Sequence, residues 1–200
     1  MKPAIPDRAA SRSKSAGKHA IIRPPLDWKE PDFNPILHRA IRVLAPWYRR
    51  CIMQIRRFRC IDEQHLIEAL ESFQKGYSRL AVTFRHPSEM DPQCVYYLFS
   101  NYIHKAIGRQ GTKITDLPHA HFVYGRGVPL WAGKGVEWIL PRVGAVPVYR
   151  RTRDSSGIRY LRWLFAHGRF PIALAPEGQV NYHNHAVHGL ETGVARLSFW

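Results

Sequence analysis

Four short apolar runs alternate with longer segments of helical period along the chain: "RLAVTFR" (Arg79–Arg85), "AHFVY" (Ala120–Tyr124), "AVPVY" (Ala145–Tyr149) and "FPIALA" (Phe170–Ala175). Each is too short for a core helix and has strand composition. The segments between them repeat apolar residues at three- and four-residue steps. Leu66, Leu70, Phe73 and Tyr77 line the first, with Asp62 as expected N-cap and Gly76 near its end. Pro92 to Ile107 forms the second, stopped by Gly108, and Lys134 to Leu140 the third, ended by Pro141. The fourth turns Ile158, Leu161, Leu164 and Phe165 inward, is capped by Ser155 or Ser156 and closes at Gly168. One more helix is expected from Gly189 onward. Strands alternating with helices predict an α/β fold: a largely parallel central sheet flanked by helices.

Two hundred residues, 45% of them hydrophobic, suit one folded domain with an appendage. Residues 1–35 are expected to be a disordered basic tail, since Lys2, Arg8, Arg12, Lys14, Lys18 and Arg23 sit among Ser, Ala and Pro without periodicity. The net charge of +15 directs the chain toward polyanions: nucleic acid, anionic headgroups or phosphorylated substrates. Cys51, Cys60 and Cys94 form no C-x-x-C pair and no even-numbered framework, which favours a reduced, cytoplasmic compartment. No apolar run approaches the ~20 residues of a transmembrane helix, and no signal peptide is visible. The expected localisation is cytoplasmic and peripheral at a membrane surface.

Residues 36–61 read as a basic amphipathic helical segment with seven arginines and no acid. Ile41, Leu44, Tyr48, Ile52 and Ile55 form an apolar stripe; Arg42, Arg49 and Arg56 fall on another. Pro46 is expected to end one helix and open the next. Three uses fit the pattern: an anionic membrane surface, a core stripe under solvated arginines, or nucleic acid. Residues 62–200 are the expected α/β domain.

In a parallel sheet, ligands gather beyond the carboxyl ends of the strands. Three clusters fall there: Arg85-His86 with Asp91, "GAVPVYRR" ending in Arg150-Arg151, and "ALAPEGQ" with Glu177-Gly178. Asp91 before Pro92 suits a helix N-cap. It equally suits the partner of a histidine that takes a proton from a hydroxyl.

His86-Pro-Ser-Glu-Met-Asp91 resembles the H-x4-D motif of the glycerolipid acyltransferases, the family that includes lysophosphatidic acid acyltransferases. Gly144-Ala-Val-Pro-Val-Tyr-Arg150 resembles the family's second block, Ala175-Pro-Glu177-Gly178 its P-E-G turn, and "PLWAGKGVEWILPRVG" the stretch between the first two blocks. The resemblance implies a transfer of a fatty acyl group from acyl-CoA or acyl carrier protein to a glycerolipid hydroxyl. No cofactor and no metal are called for. His86 would be the base, Asp91 its partner, and Arg150 the ligand of the acceptor phosphate. Lys134 is a weaker candidate for the same anion. Glu177 would orient an arginine or accept from a glycerol hydroxyl. Gly178 would allow a tight turn with N–H groups facing the ligand.

The chain departs from the family in three places. Arg85 stands where asparagine is usual before the histidine, and Gln179-Val-Asn181 follows the P-E-G turn in place of Thr, Arg and Ser. Arg85 and Arg151 are the candidates to replace the missing arginine. The fourth family block has no counterpart, so the domain is expected to be incomplete at its C-terminus. His183, His185 and His188 have spacing that zinc could use, against a plain polar loop. Two other functions stay open: a basic nucleic-acid-binding protein, and a catalytically impaired lipid-surface binder.

Overall fold

The computed structural model describes residues 28–112, 114, 116–149, 154–187 and 189–198. The expected tail lies outside the described residues as far as residue 27. Residues 28–34 pack on the domain. Phe33 lies 4.7 Å from the His119 ring and 4.9 Å from Phe170, and the Asp32 and Asn34 amides donate to the Pro141 and Arg142 carbonyls.

The predicted alternation gives a four-stranded, all-parallel sheet flanked by helices, built from β1 (Ala81–Thr83), β2 (His121–Gly125), β3 (Val146–Val148) and β4 (Ile172–Leu174). The strand order is β1-β4-β2-β3, so the last strand inserts between the first two. Before β1 come α1 (Pro35–Cys51) and α2 (Glu63–Gln74). The β1–β2 crossover is α3 (Asp91–Tyr97), a π-helical stretch Leu98–Ile103, and α4 (His104–Gln110). α5 (Val128–Ala132) and α6 (Lys134–Arg142) link β2 to β3, α7 (Ser155–His167) links β3 to β4, and α8 (Gly193–Ser198) follows.

Side chains alternate across the pleat, so each strand feeds two cores. Phe122 and Ala173 join Ile67, Leu70, Phe99 and Ile103 under α2 and the long crossover. Their neighbours Val146 and Ile172 join Tyr160, Leu164 and Leu197 under α7 and α8.

Several helix limits differ from expectation, each for a local reason. α1 runs straight through Pro46. Proline cannot donate to the Arg42 carbonyl four residues back, and the Asn101 amide, on the π-helical stretch, donates to that carbonyl at 2.8 Å instead. No second helix forms over residues 54–61. The crossover passes Gly108 and ends at Gly111, whose φ of 62° supplies the left-handed cap. Pro141 lies inside α6. Asp154, not a serine, caps α7 by accepting from the Gly157 amide. Asp62 precedes α2, but its side chain makes no capping bond.

Of the uses its stripes left open, α1 does not bury an apolar core stripe under solvated arginines. His38 is buried and Arg42 and Arg49 are half-buried. Arg42 bonds the His104 ring at 2.8 Å, and Arg49 lies over the Tyr97 ring at 5.1 Å while donating to the Ile55 carbonyl. Outward point Ile36, Val43, Leu44, Trp47, Tyr48 and Ile52, between 41% and 80% exposed. The polar face packs on the domain because it finds ring and carbonyl partners there.

Candidate functional site

β1 and β4 are neighbours with Thr83 paired to Leu174. The same register carried past both strands sets His86 opposite Glu177. The contact is realised: the His86 amide donates to Glu177 Oε2 at 3.3 Å, and the Asn181 amide N–H donates back to the His86 carbonyl at 3.0 Å. The first and third sequence clusters therefore meet at the carboxyl edge of the sheet.

After His86 the chain turns through Pro87 and Ser88 into α3. His86 Nδ1 lies 3.4 Å from Asp91 Oδ2, and the Ser88 amide donates to that same oxygen at 2.6 Å. Asp91 is the first residue of α3, and no helix N–H bonds its carboxylate. Its acceptor capacity is turned back toward the histidine, which is not what a simple cap would do. Both side chains are partly open to solvent, 17% and 24% exposed. A contact of 3.4 Å is long, and it shortens by a few tenths of an ångström if the imidazole becomes charged.

Glu177 is enclosed, with its side chain 1% exposed. Oε2 accepts from His86 N and, at 2.6 Å, from Asn181 Nδ2. Oε1 faces Arg85 Nε at 3.7 Å. The carboxylate thus stands beside an arginine, with Oε1 buried and accepting no hydrogen bond among the described residues. Arg85 is spent on internal bonds as well. Its guanidinium donates to the carbonyls of His183, Asn184 and Ala186 at 2.6–3.0 Å. These bonds fasten the 183–186 segment beside His86. Gly178 has a φ of 67°, as a tight turn requires, and a Cβ there would lie 3.1 Å from Glu191 Cγ. Its N–H donates to the Ala175 carbonyl at 3.0 Å, closing the turn rather than facing outward.

Arg150 and Arg151 lie outside the described residues, so the second cluster is visible only up to Tyr149 at the end of β3, the far edge strand. Lys134 opens α6, exposed, with no hydrogen bond or ion pair to His86, Asp91 or Glu177 among the described residues. His183 and His185 are exposed with rings 5.6 Å apart, and His188 lies outside the described residues. Among the described residues no group of three or more His, Cys, Asp or Glu could hold a metal ion.

Sequence reasoning missed a buried ion pair on the same edge. Arg126 follows β2 directly, and its Nη2 reaches both Asp154 oxygens at 3.0 Å. Asp154 also accepts from the Tyr149 and Gly157 amides. Arg126 lies between the Trp28 and Tyr149 rings, at 4.9 and 4.3 Å. The pair ties the end of β2 to the start of α7, and so fixes both ends of the segment that carries Arg150. An arginine flanked by glycines at a strand end, "GRG", was the available signal.

A second cluster lies buried near the amino edge. His38 Nδ1 is 2.7 Å from the Tyr96 hydroxyl, His119 bonds the Val143 carbonyl and His121 the Gly144 carbonyl. Burial, helped by Arg42 and His104, pushes the His38 pKa down to about 4. His119 is lowered well below its ordinary value, mainly by burial.

Compared with protein-family models, curated proteins and solved structures, the chain shows no match.

Proposed function

We propose that the chain is an O-acyltransferase acting at a membrane surface. It moves a fatty acyl group from an acyl-CoA or acyl carrier protein thioester to the hydroxyl of a phosphorylated glycerolipid of the 1-acylglycerol-3-phosphate type, as in phospholipid synthesis. The observation that carries this proposal is the His86–Asp91 pair, held by the Ser88 amide at the carboxyl edge of a parallel sheet. The acceptor hydroxyl gives its proton to His86 Nε2 as its oxygen attacks the thioester carbonyl. Asp91 holds the Nδ1–H tautomer and stabilises the imidazolium. The tetrahedral oxyanion then collapses, the C–S bond breaks, and the imidazolium returns the proton to the leaving thiolate. No protein nucleophile is needed, so Ser88 and Cys94 take no covalent part. Arg150 is proposed for the acceptor phosphate, where a guanidinium offers a planar fork.

The outward face of α1 supports a bilayer as the partner, ahead of nucleic acid. It presents Ile36, Val43, Leu44, Trp47, Tyr48 and Ile52 together with the exposed Arg39 and Arg50, a mixed apolar and cationic face, while Arg42 and Arg49 are engaged within the domain. No helix among the described residues is long and apolar enough to cross a membrane. Such a face suits a helix lying in the interface.

The test is acyl transfer from radiolabelled acyl-CoA and acyl carrier protein to a panel of lysophospholipids in vesicles. Labelled diacyl product with at least one phosphorylated acceptor is expected. Absence of product with every donor and acceptor, from folded protein that binds the vesicles, would leave a lipid-surface binder instead.

A further inference from the structure

We infer that α5 and α6 form a second bilayer contact, one that turns the carboxyl edge of the sheet toward the lipid. The inference rests on the proposed function for its biological sense, but its observations are separate. Leu130 and Trp131 on α5 are 65% and 69% exposed, and Trp138 and Ile139 on α6 are 51% and 38% exposed. On α6 the exposed positions Lys134, Trp138 and Ile139 share one helical face, opposite half-buried Val136 and Leu140. Four large apolar side chains on two consecutive short helices, two of them tryptophan, are the composition of an interfacial anchor.

Charge identifies the occupant. Lys134 opens α6 and Arg142 closes it, with Arg142 stacked on the Trp138 ring at 4.3 Å. The acid on α6, Glu137, is neutralised by Lys29 at 2.6 Å. An apolar patch rimmed by cations matches the headgroup and acyl boundary of an anionic bilayer.

Placement gives the contact its consequence. α5 begins three residues beyond the carboxyl end of β2, on the edge where His86 and Glu177 meet. α6 then returns to the amino edge, where its last residues hold the start of α1 through the Asp32 and Asn34 amides. α6 thus runs from the site edge to the N-terminal flank of α1. A bilayer touching both helices lies along one flank and reaches the mouth of the site at α5. An acceptor could then present its headgroup to His86 while its chain stays in lipid.

The experiment compares the wild-type chain with the Trp131→Gln/Trp138→Gln variant. Both positions are exposed, so the variant is expected to fold, which circular dichroism checks. Three measurements are made: sedimentation with phosphatidylcholine vesicles doped with phosphatidylglycerol, transfer to a lysophospholipid embedded in those vesicles, and transfer to a short-chain, freely soluble lysophospholipid. The inference requires vesicle binding to fall about tenfold or more, as expected for losing two interfacial aromatics. Transfer to the embedded acceptor should fall with it, and transfer to the soluble acceptor should not change. Unchanged binding by the folded variant overturns the inference. So does a wild-type dimer that the substitutions dissociate in light scattering, since the patch then belongs to a second copy. Wild-type inactivity on both the embedded and the soluble acceptor would defeat the acyltransferase proposal instead, with the sedimentation arm still deciding the surface.

Discussion

Asp91 separates two roles that the same residue can play. As a cap, its carboxylate would bond the first turn of α3; as a catalytic partner, it would face His86. Its Oδ2 faces His86 Nδ1 at 3.4 Å and accepts from the Ser88 amide at 2.6 Å, the geometry that the proposed catalytic role requires. Asp91→Asn should therefore lower turnover by ~100-fold or more, through the wrong imidazole tautomer. It should change the urea midpoint little, because the asparagine side-chain oxygen can still accept from the Ser88 amide. A destabilised but fully active variant would restore the cap. The buried histidines give a second expectation. Folding holds His38 neutral, with its pKa pushed down to about 4 from an ordinary ~6.5. The unfolded chain thus takes up its proton first as pH falls. His38 costs the fold nothing above pH ~6.5, and stability declines from there through about 4 by ~3 kcal/mol. Urea unfolding between pH 7 and 4 reads this, and His38→Gln, which does not titrate there, should decline less. An identical decline in both proteins would remove His38 as the cause. His86, Asp91 and Glu177 were legible because their motifs are local. Asn181 and the Arg85 clamp were not, since their partners come from the β1–β4 register, which no short motif encodes.

At the scale of elements, the loop between β3 and α7 depends on one buried carboxylate. Asp154 is 4% exposed and Arg126 9%. Asp154→Ala removes the α7 cap and the Tyr149 bond, and leaves Arg126 buried without its counter-ion. A loss of about 3–5 kcal/mol is expected in urea unfolding. A loss below ~1 kcal/mol would mean that the guanidinium finds water or another partner. α1 gives the other element-scale expectation. Replacing Val43, Leu44 and Trp47 together by Gln should weaken vesicle binding with little effect on folding, since all three are at least 60% exposed. Substituting Arg42 and Arg49 should instead disturb folding, because their partners are within the domain. The opposite pattern would return the arginines to the membrane. The sequence showed that α1 has two faces but not which one packs. That choice was made by His104, Tyr97 and Asn101, more than forty residues away. The Asn101 side-chain amide, donating to the Arg42 carbonyl, also let the helix pass Pro46.

Across the whole molecule, the strand–helix alternation was enough to predict a parallel sheet, and the strand-end rule pointed to the edge where His86, Asp91 and Glu177 come together. The order β1-β4-β2-β3 was not legible, because the strand runs alone do not say that the last strand inserts beside the first. That insertion is what sets Glu177 against His86. In the proposed function the +15 charge acts at this scale too: it would draw the chain to anionic surfaces, and the apolar faces of α1, α5 and α6 would add burial that salt does not screen. The proposed activity joins these features at one atom, the ring nitrogen of His86. The most direct measurement is the rate of acyl transfer from acyl-CoA to a vesicle-embedded lysophospholipid by the wild-type chain and by His86→Ala. Circular dichroism and vesicle sedimentation must first show that the variant folds and binds lipid as the wild type does. The predicted result is a fall of at least ~100-fold with folding and binding intact; near-normal transfer by the folded, lipid-bound variant would contradict it.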